Sequence, residues 1–232
     1  MKIMSFNAQH CLSFFEDKID YQVMADAIKK CGADIVGLNE IYNKGIVEEF
    51  DNQTAVLAKL TGLTNYYFAE ATIINGGNPY GNAFISKYPI ISAETIPVPD
   101  PETKNGKEYY ETRCLLKARI EGGITILVTH FGLNEDEQRN AMETVLKHLN
   151  DEKCILMGDF NMVPENEILK PIRKYMKDTA DCFEIPLLSF PSDKPKVKID
   201  YIFVSKDIEV VSAEIPAIIA SDHRPHTAEV II

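Results

Sequence analysis

The side chains best placed to do chemistry in this chain stand at or near the ends of apolar runs. Met157-Gly158-Asp159-Phe160-Asn161 closes one run, Asp200 opens Tyr201-Ile202-Phe203-Val204, and Ser221-Asp222-His223-Arg224-Pro225 precedes the last. A carboxylate or imidazole in such a place is costly to bury unless a metal, a partner or a substrate compensates it. Asp159 and Asn161 are two residues apart, so in an extended segment they project to the same side. A carboxylate and an amide so placed would hold an attacking water between a base and an orienting group. Asp222-His223 offers a metal carboxylate beside a phosphate-facing imidazole. A buried Asp200 accepting a histidine N–H would fix that ring's tautomer and favour its charged form. Glu40 ends Ile35-Val36-Gly37-Leu38-Asn39, where α/β sites place ligands for hard cations. Asn7 and His130 end two further runs in the same way. Taken singly, each is more often the polar cap, Asx turn or solvent-facing edge of a strand. Taken together, they predict a convergent acidic cleft that holds a metal and hydrolyses a phosphoester.

Such a cleft needs several strands ending on one side. Strands are expected at residues 2–6, 35–38, 83–86, 90–98, 154–157, 200–204, 209–214 and 227–231. Residues 109–120 and 124–129 read as an antiparallel hairpin across Glu121-Gly122-Gly123. Helical spacing of Val23, Met24, Ala27 and Ile28 places a helix at 21–30, stopped by Gly32. Further helices are expected at 48–60, stopped by Gly62, and at 135–149, capped by Asn134. Asn75-Gly76-Gly77-Asn78-Pro79-Tyr80-Gly81 reads as a loop, and so do residues 99–107. With strands in both halves, joined by helices in some places and hairpins in others, a mixed two-sheet core flanked by helices fits better than a purely parallel sheet. No composition shift marks a linker, so a single domain over 1–232 is expected.

The bulk properties narrow the function. The chain has 232 residues, is 45% hydrophobic and 25% charged, and carries a net charge of -11, which permits a sizeable core and excludes wholesale disorder. That acidic balance disfavours a protein that grips duplex nucleic acid, since Lys194, Lys196 and Lys198 form only a short basic loop. A bound cation would still invert the charge locally. The five cysteines are scattered, odd in number and free of any CxxC pair, so neither a disulfide framework nor a zinc ribbon is expected. No signal peptide or membrane-length apolar stretch is read, and a cytoplasmic location is the expectation.

In order along the chain, Ser5-Phe6-Asn7, Leu38-Asn39-Glu40, Thr129-His130, Gly158-Asp159-Phe160-Asn161, Ile199-Asp200-Tyr201 and Ser221-Asp222-His223 resemble the motifs of the endonuclease/exonuclease/phosphatase superfamily. The resemblance spans nearly the whole chain. It implies a four-layer α/β sandwich, in which two mixed sheets pack face to face with helices outside. It also implies Mg²⁺ or Mn²⁺ as cofactor and in-line attack of water on a phosphoester. Carried over residue by residue, Glu40 is the principal metal ligand, with Asn7 and Asp222 beside it. Asp159 orients or deprotonates the water, and Asn161 holds that water or a phosphate oxygen. His223, paired with Asp200, binds non-bridging oxygens. His130 falls where the family has a histidine or tyrosine facing the phosphate. Arg113 in Glu111-Thr112-Arg113 supports the cleft, or is simply a surface strand residue.

The resemblance to small bacterial-type members extends through Phe190-Pro191 and Lys198-Ile199-Asp200-Tyr201, where Ser189-Phe190-Pro191-Ser192-Asp193 is a candidate cleft wall. The chain has no tryptophan and no long basic insertion. A small or lipid-type phosphomonoester or phosphodiester is therefore favoured as substrate. DNA or RNA cleavage is the alternative, and a catalytically silent phospho-ligand binding module is the rival of another class.

Overall fold

A computed structural model of the chain describes residues 1–45, 51–74, 76–150, 152–182 and 187–232, the side chain of Cys182 excepted. Among these described residues, twelve strands and three α-helices follow in order: β1 (Lys2–Asn7), α1 (Tyr21–Cys31), β2 (Ile35–Tyr42), α2 (Gln53–Thr61), β3 (Asn65–Ile74), β4 (Asn78–Ser86), β5 (Ile90–Pro97), β6 (Cys114–Ile120), β7 (Ile124–His130), α3 (Glu135–His148), β8 (Cys154–Asp159), β9 (Met176–Asp178), β10 (Asp200–Ser205), β11 (Glu209–Glu214) and β12 (His226–Ile231).

The strands form two six-stranded sheets, ordered β11-β12-β1-β2-β4-β3 and β5-β6-β7-β8-β10-β9. Both have the same pairing pattern. One parallel pair lies at the centre, β1/β2 in the first sheet and β7/β8 in the second, with antiparallel strands on either side. A parallel pair requires a crossover connection, and each crossover carries a helix, α1 in one half and α3 in the other. Asp20 caps α1 by accepting from Gln22 N and Val23 N. Asn134 and Glu137 form a capping box at the start of α3.

The central strands are apolar on both faces because both faces are covered. Ile3, Ile35, Phe84, Val128, Ile155, Met157 and Ile202 point between the sheets. Alternate residues point outward: Met4, Val36 and Ile85 meet Met24 and Ile28 of α1 and Leu57 of α2, while Leu127, Leu156 and Phe203 meet Met142 and Val145 of α3. Burying such side chains contributes about 1.5–3 kcal/mol each. The result is the four-layer sandwich expected from the sequence. The sheets approach closely at Gly37, where a Cβ would stand 2.6 Å from Met157 Sδ.

Three local expectations are corrected. Residues 78–81 are strand, not loop: β4 begins at Asn78 and pairs with β3, a strand not among those expected from the sequence. Their register shifts between Glu70 and Thr72 opposite Gly81, and a Cβ there would lie 2.1 Å from Ala69 O, so a residue type that reads as a loop former is required by a bulge. β6 starts at Cys114, not at residue 109, because the preceding segment bonds to α3 instead of to β7: Glu108 N donates to Asn134 Oδ1 and Glu111 N to Glu137 Oε1. α2 begins at Gln53 behind the cap Asn52, while the expected earlier start, at residue 48, lies outside the described residues. Cys11, Cys31, Cys114 and Cys154 are buried free thiols. No described helix is long and apolar enough to cross a membrane.

Candidate active site

The four central parallel strands all end on one side, and each delivers a candidate residue there: Asn7 from β1, Glu40 from β2, His130 from β7 and Asp159 from β8. In α/β sheets the cleft beyond the carboxyl ends of parallel strands is the usual ligand site. Local backbone irregularity aims the groups. The β2–β4 register shifts between Leu38 and Ile41, and Glu40 inside that shift takes φ 57°. Asn161 takes φ 50°. Non-glycine residues in this region are uncommon and cluster at functional sites. Gly158 brings β8 against β7, where a Cβ would sit 1.8 Å from Thr129 O.

Asp159 lies at the centre and is buried. Its Oδ2 accepts from Asn7 Nδ2 at 3.1 Å, and Nε2 of His130 and Nε2 of His223 each stand 3.6 Å from the same oxygen. Its Oδ1 accepts from Asn161 N at 2.9 Å. Burial, reinforced by the charge of Asp200, pushes the Asp159 carboxyl above the usual range against the pull of His223. His223 Nδ1 is bonded to Asp200 Oδ2 at 2.8 Å. Burial opposes the charged ring, but Asp200 and Asp159 together outweigh it and His223 holds its proton well above the ordinary histidine range.

His130 has the opposite electrostatics. Burial and the neighbouring charges of Arg113 and His223 drive it well below the ordinary range, so it is neutral. Arg113 Nη1 lies 3.0 Å from its Nδ1, and Asn161 Nδ2, which donates to Phe131 O at 3.0 Å, lies 3.2 Å from its Nε2. Arg113 is paired with Glu111 at 2.5 Å and is mostly buried. It is therefore not a surface strand residue.

The oxygen-bearing residues expected at a cation sit together on the β1–β2 side. Asn7 Nδ2 donates to Glu40 Oε1 at 2.9 Å, while its Oδ1 accepts from Gln9 N at 3.1 Å. Asp222 accepts from Ser221 Oγ at 3.0 Å, and its carboxyl is raised by burial and by the charge of Glu40, although His223 pulls it down. Two neighbouring carboxylates, Glu40 and Asp222, are oxygen donors of the kind that a hard divalent cation takes. Asp159, Asp200 and His223 also offer ligand-capable atoms within 4.8 Å of one another. In that group, however, Nδ1 of His223 is committed to Asp200 and the ring is charged, and a metal ligand must be neutral imidazole. Among these groups the free-standing oxygen donors are the carboxylates of Glu40 and Asp222, while Asn7 turns its Nδ2 to Glu40 and its Oδ1 to Gln9 N.

The loop at Ser189–Ser192 does wall the cleft. Phe190 tilts against the His223 ring at 4.8 Å, and Ser192 N donates to Asp222 O at 2.7 Å. The sequence pattern assigns no role to three further groups. Asn39 bridges the sheets: its Nδ2 donates to Asn82 Oδ1 and Thr129 O, both at 2.8 Å, and its Oδ1 accepts from Asp159 N at 3.0 Å. Asn82 continues the bridge by donating to Cys114 O at 2.9 Å. His10 stacks edge-on against Tyr42 and lies within the fields of Glu40 and Asp222, though burial lowers its pKa. Its nearness in sequence to Asn7 was the available signal.

The fold that carries these residues has known counterparts. The sequence profile of the Endonuclease/Exonuclease/phosphatase family matches residues 4–223. The chain belongs to this family. Its members include phosphatases and nucleases, which supports a phosphoesterase chemistry for the chain. YbhP of Escherichia coli (strain K12), described as uncharacterized, is 24% identical over 250 residues, spanning 99% of this chain and 95% of its own length. A family member from Beutenbergia cavernae superimposes with TM-score 0.80 at 21% identity, over 100% of this chain and 71% of its own. A mannosyl-6-phosphatase from Bacteroides thetaiotaomicron gives TM-score 0.74 at 16% identity, over 100% of both chains. At these identities the superpositions show the shared fold.

Proposed function

We propose that the chain, acting as one domain over 1–232, is a Mg²⁺- or Mn²⁺-dependent hydrolase of a small phosphoester, a sugar phosphate or lipid-type headgroup ester. The observation that carries this reading is the position of Asp159, with one carboxylate oxygen 3.6 Å from each of two imidazoles in opposite protonation states. Glu40, Asp222 and Asn7 would hold the cation, which when bound supplies positive charge to a phosphoryl oxygen. Asp159, its affinity for a proton raised by burial, orients the attacking water and takes its proton. His223, charged by Asp200, and neutral His130 together with the Asn161 amide donate hydrogen bonds to non-bridging oxygens, whose charge grows in the transition state. The P–O bond to the leaving group breaks as the water oxygen bonds to phosphorus in line. The mannosyl-6-phosphatase of the same fold supports a sugar phosphomonoester as the first natural substrate to try.

The purified chain should hydrolyse p-nitrophenyl phosphate or bis(p-nitrophenyl) phosphate with Mg²⁺ or Mn²⁺, and EDTA should stop it. Asp159→Ala should lose nearly all turnover. Turnover that survives both EDTA and Asp159→Ala would overturn the reading. Plasmid, abasic duplex and single-stranded DNA or RNA separate a nuclease from a small-ester hydrolase. Tight binding of phosphorylated metabolites without turnover would identify a silent binding module.

A further inference from the structure

His130 and His223 both face Asp159, yet they are held by partners of opposite charge. His223 Nδ1 meets a carboxylate, Asp200, at 2.8 Å. His130 Nδ1 meets a guanidinium nitrogen, Arg113 Nη1, at 3.0 Å. A guanidinium only donates and stays protonated in proteins. The atom it bonds must therefore accept, and an imidazole nitrogen accepts only when it carries no proton. We infer that Arg113, held in place by Glu111, fixes His130 as the neutral tautomer with its proton on Nε2, so that the ring can only donate toward the substrate oxygen.

The surroundings agree with this assignment. The opposite tautomer would set Nδ1–H against a charged N–H donor. The tautomer inferred sets Nε2–H beside the neutral amide of Asn161, and charge-assisted bonds are about twice as strong as neutral ones. Asp159 Oδ2, 3.6 Å from Nε2, is a nearby oxygen that favours a proton on that nitrogen. The charge of Arg113 also works with burial to keep the ring neutral.

The scaffold behind Arg113 is built from the start of α3. Glu137 accepts from Asn134 N at 3.2 Å and from Glu111 N at 3.2 Å, and Glu111 in turn pairs with Arg113. Arg113 is thus a positioning residue acting through His130. The role of that donor in turnover rests on the phosphoesterase reading, whereas the tautomer itself does not.

The test is a two-bond ¹H–¹⁵N correlation spectrum of the ¹⁵N-histidine-labelled chain, with His130 assigned by loss of its signals in His130→Gln. In the wild type, Nδ1 of His130 should be pyridine-type and Nε2 pyrrole-type. Arg113→Met should mix or reverse the tautomers and lower kcat about 10- to 100-fold, the range for removing a group that orients a site imidazole. Arg113→Lys, which keeps a charged donor, should retain the wild-type pattern. A protonated Nδ1 in the wild type, or an unchanged tautomer in Arg113→Met, overturns the inference. If Arg113→Met does not fold, the wild-type and Arg113→Lys spectra decide. A correct tautomer in a chain that hydrolyses no phosphoester would leave this inference standing and remove the functional reading.

Discussion

Asp159 and Asp200 stand directly opposite one another in the β8–β10 pairing, two buried carboxylates in cross-strand register. Like charges so placed repel, and burial makes each costlier. His223 lies against both, 2.8 Å from Asp200 and 3.6 Å from Asp159. The pair of acids therefore keeps the imidazole charged, and the imidazole allows the acids to remain side by side.

Replacing Asp200 by Asn should expose that dependence. With one of the two acids gone, His223 loses its proton at a lower pH. Activity that needs the imidazolium is lost as pH rises through the ring's pKa, so the alkaline limb of kcat/KM should move to lower pH by about 1–3 units. At neutral pH, kcat should fall about 100- to 1,000-fold. A pH profile that keeps its alkaline limb in place would show that Asp200 does not set the charge of His223.

Glu40→Gln separates cation binding from folding. The amide still accepts from Asn7, but the charge that raises Asp222 is gone. The Mg²⁺ concentration for half-maximal activity should rise about 10- to 100-fold. In EDTA the same variant should be more stable than wild type by about 1 kcal/mol, a gain of about 2–4 °C in Tm, because a functional charge repulsion has been removed. Thermal unfolding with and without Mg²⁺ measures both effects.

Asn39→Leu tests the bridge between the sheets. It would leave Asp159 N, Thr129 O and Asn82 Oδ1 buried without this partner. Stability should fall by about 3 kcal/mol or more, read as a lower urea midpoint with unchanged m-value. A variant as stable as wild type would mean that other groups satisfy these atoms.

His226 predicts how the fold responds to acid. It is buried between Thr179 Oγ1 and Asp200 O, and burial together with the charge of Lys198 pushes its pKa down to about 4. The unfolded chain takes up this proton from about pH 6.5 downward, whereas the folded chain resists until about 4. Its stabilising contribution is complete above pH 6.5 and is lost as pH falls from there toward 4, amounting to about 3 kcal/mol. Unfolding free energies at pH 7 and 4.5 should therefore differ less for His226→Gln than for wild type, and equal differences would exclude this role.

Beneath the site, Lys198 Nζ lies 2.8 Å from Asp178 Oδ2, with both side chains buried. Asp178→Asn would leave a buried ammonium with its charge partner removed, at a cost of about 3–5 kcal/mol. Denaturant unfolding at pH 7 measures it.

Much of this architecture was legible in the sequence because its causes are local. Strands covered on both faces read as apolar runs, α1 shows one apolar stripe, Asn134 caps α3, and Asn7, Glu40, His130 and Asp159 declare themselves by ending or lying near the ends of those runs. The order of the motifs along the chain was enough to indicate the family. Other features depended on residues brought together from far apart. Asn78-Pro79-Tyr80-Gly81 has loop composition, but pairing with β3 makes it strand, with a bulge opposite Gly81. The opposition of Asp159 to Asp200 is a matter of strand register, and the bond from Asp159 N to Asn39 joins residues 120 positions apart. Arg113 could be read as a surface residue until the segment before β6 bonded to α3 and turned its guanidinium onto His130. Local pattern determines which residues form strands and where polar groups end them, because backbone propensity and side-chain alternation act between near neighbours. The protonation states that make those groups chemically distinct are decided only when the two sheets pack, since burial and opposing charges arise from that packing.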